Sequence, residues 1–266
     1  MTHATAPGDA PRESVRAVRD DAHALALRLR VVAPPPARAA RDALPVVLVH
    51  GYGVSSAYWM PLARRLGVTR RVYAPDLPGH GRCARTARAL AVDDLALSLL
   101  AAIDSLNVGR AVLVGQSLGA QVALEAAVRA PARVAALVLV GPSGDPRART
   151  RWRTVLRAAR TAPFERLALL LVVARDYLRA GPRFVWEEMT RMLAHHPERV
   201  LPRVAVPALV LRGARDAVCS AAWAREVAAR LPAGEARTIP HAAHAVHWTR
   251  PDAVAAEIEG FLRDRA

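Results

Sequence analysis

Two spacings of apolar residues alternate along this chain. Short continuous apolar runs, at Val46–Val49, residues 72–74, residues 111–114, Val134–Val140 and residues 208–211, have the length of strands buried on both faces. Between and after them, apolar residues recur at helical spacing over residues 93–106, 120–130, 221–231 and 252–262, the last beside Pro251. Asp93 or Asp94 suits a helix start. Residues 24–32 alternate small or charged residues with Leu25, Leu27, Leu29 and Val31, the period of a half-buried strand. Residues 236–239 predict a last strand. Strand–helix alternation with near-continuous apolar strands implies an α/β class: a mostly parallel twisted sheet with helices on both faces.

One stretch breaks the rhythm. Residues 145–203 contain helical patterns only, over residues 150–160, 164–178 and 184–194, separated by Ala162-Pro163, Gly181-Pro182 and His196-Pro197. A helical insertion between two sheet strands, at the end where the loops emerge, reads as a lid. The organisation expected is a loose tail over residues 1–23, a core from 24–144 and 204–266, and the lid between. Pro34-Pro35-Pro36 and the arginines after it read as a connector.

Composition narrows the class. At 266 residues, 53% hydrophobic and 23% charged, the chain can bury the core of one large domain. Its net charge of +15 comes entirely from arginine, since no lysine is present. That looks like coding bias as much as selection for a basic face. The arginines are dispersed except between Arg147 and Arg160, and no zinc-ligand spacing or aromatic-interleaved basic motif accompanies them, so no specific nucleic-acid partner is expected. Cys83 and Cys219 do not make a disulfide framework. The first residues lack a signal-peptide core, and no apolar run approaches the ~20 residues that cross a bilayer. The expected setting is cytoplasmic, without a membrane partner.

The chemistry concentrates at Gly115-Gln116-Ser117-Leu118-Gly119, between the apolar run at 111–114 and the helical pattern from Ala120. A serine on a sharp strand-to-helix turn is held clear of both elements, and the glycines allow the strained, close approach such a turn needs. Three further motifs flank it. His50-Gly51-Tyr52-Gly53 ends the first strong strand, Asp76-Leu77-Pro78-Gly79-His80-Gly81 follows the next, and Arg215-Asp216 with His244-Ala245-Val246-His247 lies downstream.

Four motifs in this order resemble the α/β-hydrolase fold family, in its lidded, esterase-like bacterial serine hydrolase form, from Leu44 to the C-terminus. The resemblance implies a sheet-edge site with Ser117 as nucleophile and a histidine that takes its proton. Of His241, His244 and His247, His244 holds the matching position. His247 resembles a structural histidine of the family, and His241 is expected at the strand end. Asp216 is the expected acid, with Asp145 as the alternative, because some relatives place the acid on that earlier loop. Backbone N–H groups of Tyr52 and Leu118 are expected to form the oxyanion hole. Ala243 departs from the glycine that commonly precedes the family's histidine. No metal or cofactor is implied.

Serine at this position, where epoxide hydrolases and haloalkane dehalogenases of the fold use aspartate, points to acyl chemistry. The expected partner is a small-molecule acyl substrate, with small-to-medium carboxylic esters foremost. Carbon–carbon hydrolysis, cofactor-free perhydrolysis and a non-catalytic binding protein are the rival readings. Trp152, Phe164, Tyr177, Trp186, Met189 and Met192 are possible lid-side liners of a pocket, although such residues more often pack lid to core. His80 reads as a packed histidine, and Cys83 has nothing around it to favour a thiolate.

Overall fold

A sheet shielded on both faces can use every side chain of a strand, and the central strands here do so. The computed structural model describes residues 10–20, 25–36, 43–84 and 86–265. Eight strands, β1 (Arg12–Asp20), β2 (Leu25–Ala33), β3 (Val46–Val49), β4 (Val72–Asp76), β5 (Ala111–Gln116), β6 (Val134–Val140), β7 (Ala208–Gly213) and β8 (Gly234–Ile239), form one sheet in the order β1-β2-β4-β3-β5-β6-β7-β8. β2 runs antiparallel to both of its neighbours, and the remaining pairs are parallel. The chain therefore has an α/β-hydrolase fold.

Alternate residues feed two cores. Val47, Val49, Leu113, Leu137, Leu139 and Val210 join the core beneath α2 (Val92–Ser105), α3 (Leu118–Arg129) and α8 (Ala221–Arg230). Val46, Leu48, Val112, Val138, Leu209 and Leu211 join the other, beneath α1 (Met60–Leu66) and α10 (Pro251–Arg263). Two-sided burial is why these strands read as unbroken apolar runs rather than alternating ones.

Three departures from the sequence reading have physical causes. Arg12–Asp20, expected within a loose tail, is an edge strand in register with β2 from Arg12↔Ala33 to Asp20↔Leu25. Its side chains are nearly all exposed, so its cohesion comes from backbone pairing, to which hydrophobic patterning is blind. Residues 1–9 and 21–23 of that stretch, and the arginines after the proline triplet, lie outside the described residues. Helix α1, which the periodicity reading passes over, buries Met60, Leu62, Ala63 and Leu66. Finally, α2 is capped at Ala91 rather than at an aspartate. Asp93 and Asp94 sit inside its first turn, where negative charge still complements the helix dipole.

Between β6 and β7 the chain forms α4 (Arg151–Thr161), α5 (Leu167–Ala180), α6 (Pro182–Ala194) and the short α7 (Pro197–Val200). The short α9 (Val246–Thr249) precedes α10. Among the described residues, no helix is long and apolar enough to cross a membrane.

Leu113 lies wholly buried in the middle of β5, whereas Val15 on β1 is largely exposed. Leu113→Ala is expected to lower the unfolding free energy by about 2–5 kcal/mol, and Val15→Ala by less than about 1 kcal/mol. Urea midpoints at constant m-value check both.

Candidate active site

Parallel strands direct the loops that follow them to one sheet edge, and those after β3, β5, β6, β7 and β8 supply the polar residues here. Ser117 joins β5 to α3 with φ 54 and ψ −113, a conformation that costs a non-glycine residue about 1–3 kcal/mol. The flanking glycines tolerate the crowding this produces. A Cβ on Gly115 would lie 2.2 Å from the Gly119 carbonyl oxygen, and one on Gly119 would lie 2.2 Å from that of Val49. The strain therefore belongs to the serine, and the glycines serve close approach. The Ser117 N–H donates to the Val140 carbonyl at 3.0 Å, which ties the turn to β6.

On the loop after β7, Asp216 is buried, and each carboxylate oxygen is used. Oδ1 accepts the N–H groups of Val218 (2.8 Å) and Cys219 (2.9 Å). Oδ2 lies 2.8 Å from His244 Nδ1. With Nδ1 donating to the carboxylate, neutral His244 keeps Nε2 as its proton acceptor. Burial opposes charge on this imidazole, but the charge and hydrogen bond of Asp216, with the Glu165 charge behind them, win and raise its pKa above 6.5. Gly141, one residue beyond the oxygen that anchors Ser117, would place a Cβ 3.1 Å from both Asp216 Oδ2 and His244 Nδ1. Ser117 and His244 line one cavity of about 500 Å³.

The other candidates separate cleanly. Asp145 is held by Arg157 (3.0 Å) and Arg147 (3.4 Å). His241 is exposed on the turn beyond β8, not at the strand end, and carries that loop's left-handed residue, φ 56. Ala243 is not among the positive-φ residues, so the absent glycine imposes no backbone strain there. His247 is fully buried, with its ring centroid 4.1 Å from Trp59 and 4.5 Å from Tyr58. Burial, then the nearby His244, lowers its pKa to about 3. His50 accepts the Leu77 N–H at Nε2 (2.9 Å) and lies 2.9 Å from the Gly51 carbonyl through Nδ1, which fixes a neutral tautomer. Burial takes its pKa to about 4. Cys83 is pushed up to about 12 by burial, so its thiol stays protonated.

Tyr52 lines the cavity, and Leu118 is the first residue of α3, where an N–H has no acceptor inside the helix. Of the expected lid-side liners, Tyr177, Met189 and Met192 face the cavity, while Trp152, Phe164 and Trp186 are exposed. The polar liners not singled out from sequence include Gln116 and Glu165, each with a buried atom that has no partner. Gln116 is buried with an unpaired Nε2. Glu165 accepts the Ala245 N–H at 2.8 Å through Oε1 and leaves Oε2 buried without a partner. Gln116 stands beside the serine in the glycine motif, a signal that was available. Glu165 lies in an irregular segment between helices and gave none. Among the described residues, no group of three or more His, Cys, Asp and Glu side chains is arranged to hold a metal ion.

Residues 46–257 match a family described as the alpha/beta hydrolase family. The chain is 33% identical over 240 residues to the dihydrolipoyllysine-residue acetyltransferase component of the acetoin cleaving system of Pseudomonas putida. That match covers 82% of this chain and 63% of the relative, so the chain spans less than two thirds of that protein's length. It is 27% identical over 239 residues to the pimeloyl-[acyl-carrier protein] methyl ester esterase of Nitrosomonas europaea, covering 78% and 91% of the two chains. The solved structure of a thermophilic esterase from Thermogutta terrifontis superimposes with a TM-score of 0.79 at 23% identity, over 94% and 98% of the two chains.

The histidine environments predict distinct titrations. In NMR spectra of the imidazole protons, His244 is expected to titrate above 6.5, His50 near 4 and His247 near 3. Asp216→Asn removes the charge that stabilises the imidazolium and is expected to move the His244 midpoint down.

Proposed function

The chain belongs to the alpha/beta hydrolase family, and on that premise we propose that it is a serine hydrolase of small-to-medium carboxylic esters or related acyl substrates, working through an acyl-enzyme on Ser117. One observation carries the reading: the 2.8 Å contact between Asp216 and His244, at the cavity that Ser117 also lines.

In the reaction proposed, His244 Nε2 takes the Ser117 proton as Oγ attacks the carbonyl carbon. The negative charge that develops on the carbonyl oxygen is met by the N–H groups of Tyr52 and Leu118. His244 returns the proton to the leaving alkoxide, and the alcohol departs. A water molecule then loses a proton to His244 and attacks the acyl carbon. Collapse of that second intermediate releases the acid and restores the serine hydroxyl. Asp216 stays ionised throughout, holding the imidazole in the useful tautomer and stabilising its charged form.

The helices from α4 to α7 act in this reading as the lid. They contribute Leu169, Leu170, Tyr177, Met189 and Met192 to the cavity, a surface suited to an apolar acyl chain. Ester chemistry also agrees with the esterase named among the relatives. Arg149 and Arg157 reach the cavity wall, but each already faces a carboxylate, Glu198 and Asp145 respectively, so a neutral substrate is favoured over an anionic one.

Wild-type protein is expected to react with a fluorophosphonate probe and to turn over nitrophenyl esters of short and medium chain. Ser117→Ala is expected to lose labelling and to lower turnover by at least about 10⁴-fold. Absence of labelling together with equal, background turnover in both proteins would refute the hydrolase reading. The rate constant kcat/KM is expected to rise with pH through a midpoint above 6.5, because His244 must be neutral to accept the serine proton and its pKa is raised.

A further inference from the structure

Three acidic side chains of the helical insertion, Asp176 and Glu188 buried and Glu165 half-buried, each hold a donor in the loops that flank the site. Glu165 accepts the N–H of Ala245, the residue after His244, at 2.8 Å. Asp176 of α5 accepts the Ser55 hydroxyl at 2.6 Å. Glu188 of α6 accepts the N–H of Gly53, the residue after Tyr52, at 2.9 Å. Glu188 is the most enclosed of the contacts to backbone, only 2% exposed, and its second oxygen lies 2.7 Å from His80 Nε2.

The loop it meets has little shape of its own. Gly51 and Gly53 bracket Tyr52, and Gly53 has φ 69, a backbone region open mainly to glycine. A loop with that freedom holds an N–H in a fixed direction only when something outside it supplies the restraint. Glu188 supplies one from one side, and the Tyr177 ring closes the other, since a Cβ on Gly53 would lie 2.4 Å from it.

The carboxylate is itself held by charge. His80 Nδ1 faces the Pro78 carbonyl at 3.0 Å, and Nε2 lies 2.7 Å from Glu188 Oε1 in an ion-pair contact whose angles fall outside hydrogen-bond geometry, so acceptors sit beside both ring nitrogens, the environment of an imidazolium. Burial resists that charge, but Glu188, the Pro78 carbonyl and Asp76 outweigh it and raise the pKa. The other groups facing this pair are neutral His50, the Tyr52 and Tyr177 hydroxyls, both raised by burial, and the Phe184 ring. The turn from Asp76 to Gly81 thus presents a cation to a carboxylate of α6.

We propose that Glu188 is a positioning residue for the oxyanion hole. Its carboxylate, fixed by the His80 imidazolium, orients the Tyr52–Gly53 peptide and through it the Tyr52 N–H, so the hole is assembled only when α6 is seated on the core. The inference rests on the reading of Tyr52 as an oxyanion donor.

The test compares wild type, Glu188→Ala and Glu188→Gln on one nitrophenyl ester, with rates divided by the fraction of sites that a fluorophosphonate titrates. Glu188→Ala is expected to lower kcat about 10- to 100-fold, less than the loss of a whole oxyanion donor, with KM within about twofold of wild type. Glu188→Gln keeps an oxygen for the Gly53 N–H and is expected to recover part of that loss. Its amide cannot pair with an imidazolium, so the His80 titration seen by NMR is expected to fall from above 6.5 to below it. The His244 titration is expected to stay in place in both variants. Wild-type kcat per titrated site in Glu188→Ala, beside normal wild-type labelling of Ser117, overturns this inference alone. So does a loss that appears as raised KM with kcat intact. Should Glu188→Ala fail to fold, the Glu188→Gln kcat and His80 titration decide, and wild-type values for both overturn it. Wild-type protein that neither labels nor turns over instead removes the hydrolase reading beneath it.

Discussion

Everything at the sheet edge is arranged around the Asp216 carboxylate. A buried carboxylate is tolerable only when its oxygens are occupied, and here two backbone N–H groups take one oxygen while the His244 ring takes the other. The two backbone bonds hold the acid without a counter-cation, so its charge is directed at the imidazole. Arg212 completes the arrangement by binding the backbone carbonyls of Asp216 and Cys219, each at 3.0 Å, which stiffens the loop without touching the carboxylate. Asp145, by contrast, faces two guanidinium groups, and an acid so neutralised has little field left for a histidine.

The second constraint is steric. A strand, a turn and a helix meet at Ser117 so tightly that the serine takes the strain and its glycine neighbours remove the clashes. β5 lies between the two apolar cores and α3 packs into one of them, which pins this turn. The energy stored there is small beside what that packing contributes, which is how one unfavourable dihedral persists in a stable fold.

Most of the sheet was readable because strands buried on both faces cannot hide: Val46–Val49 and Val134–Val140 stand as written in the residues. β1 was not readable, since backbone pairing leaves no apolar signature. α1 was readable in principle, because Trp59, Leu62, Ala63 and Leu66 have helical spacing, but the glycines and serines before it conceal its start. At the site, motif order brought out the serine, the acids and the histidines. It put Asp216 ahead of Asp145, and Asp216 is the acid 2.8 Å from His244 Nδ1, but it gave no sign that Asp145 is engaged by Arg147 and Arg157. Nor could it reveal that Glu165, Asp176 and Glu188 reach N–H, hydroxyl or imidazole groups in loops more than 70 residues away. Long-range polar contacts of this kind have no local pattern. The aromatic residues of the helical insertion carry the opposite lesson: helical spacing marks a face, but which side of a helix meets the core is decided by packing, and Trp152 and Trp186 lie outward.

The central claim is that Ser117 becomes covalently acylated during turnover. The most direct measurement is mass spectrometry of protein quenched in acid while hydrolysing a nitrophenyl ester, followed by peptide mapping. The account predicts a mass gain equal to the acyl group on the peptide that contains Ser117, and none in Ser117→Ala. Turnover with that peptide unmodified, or with the acyl group on another residue, would contradict it.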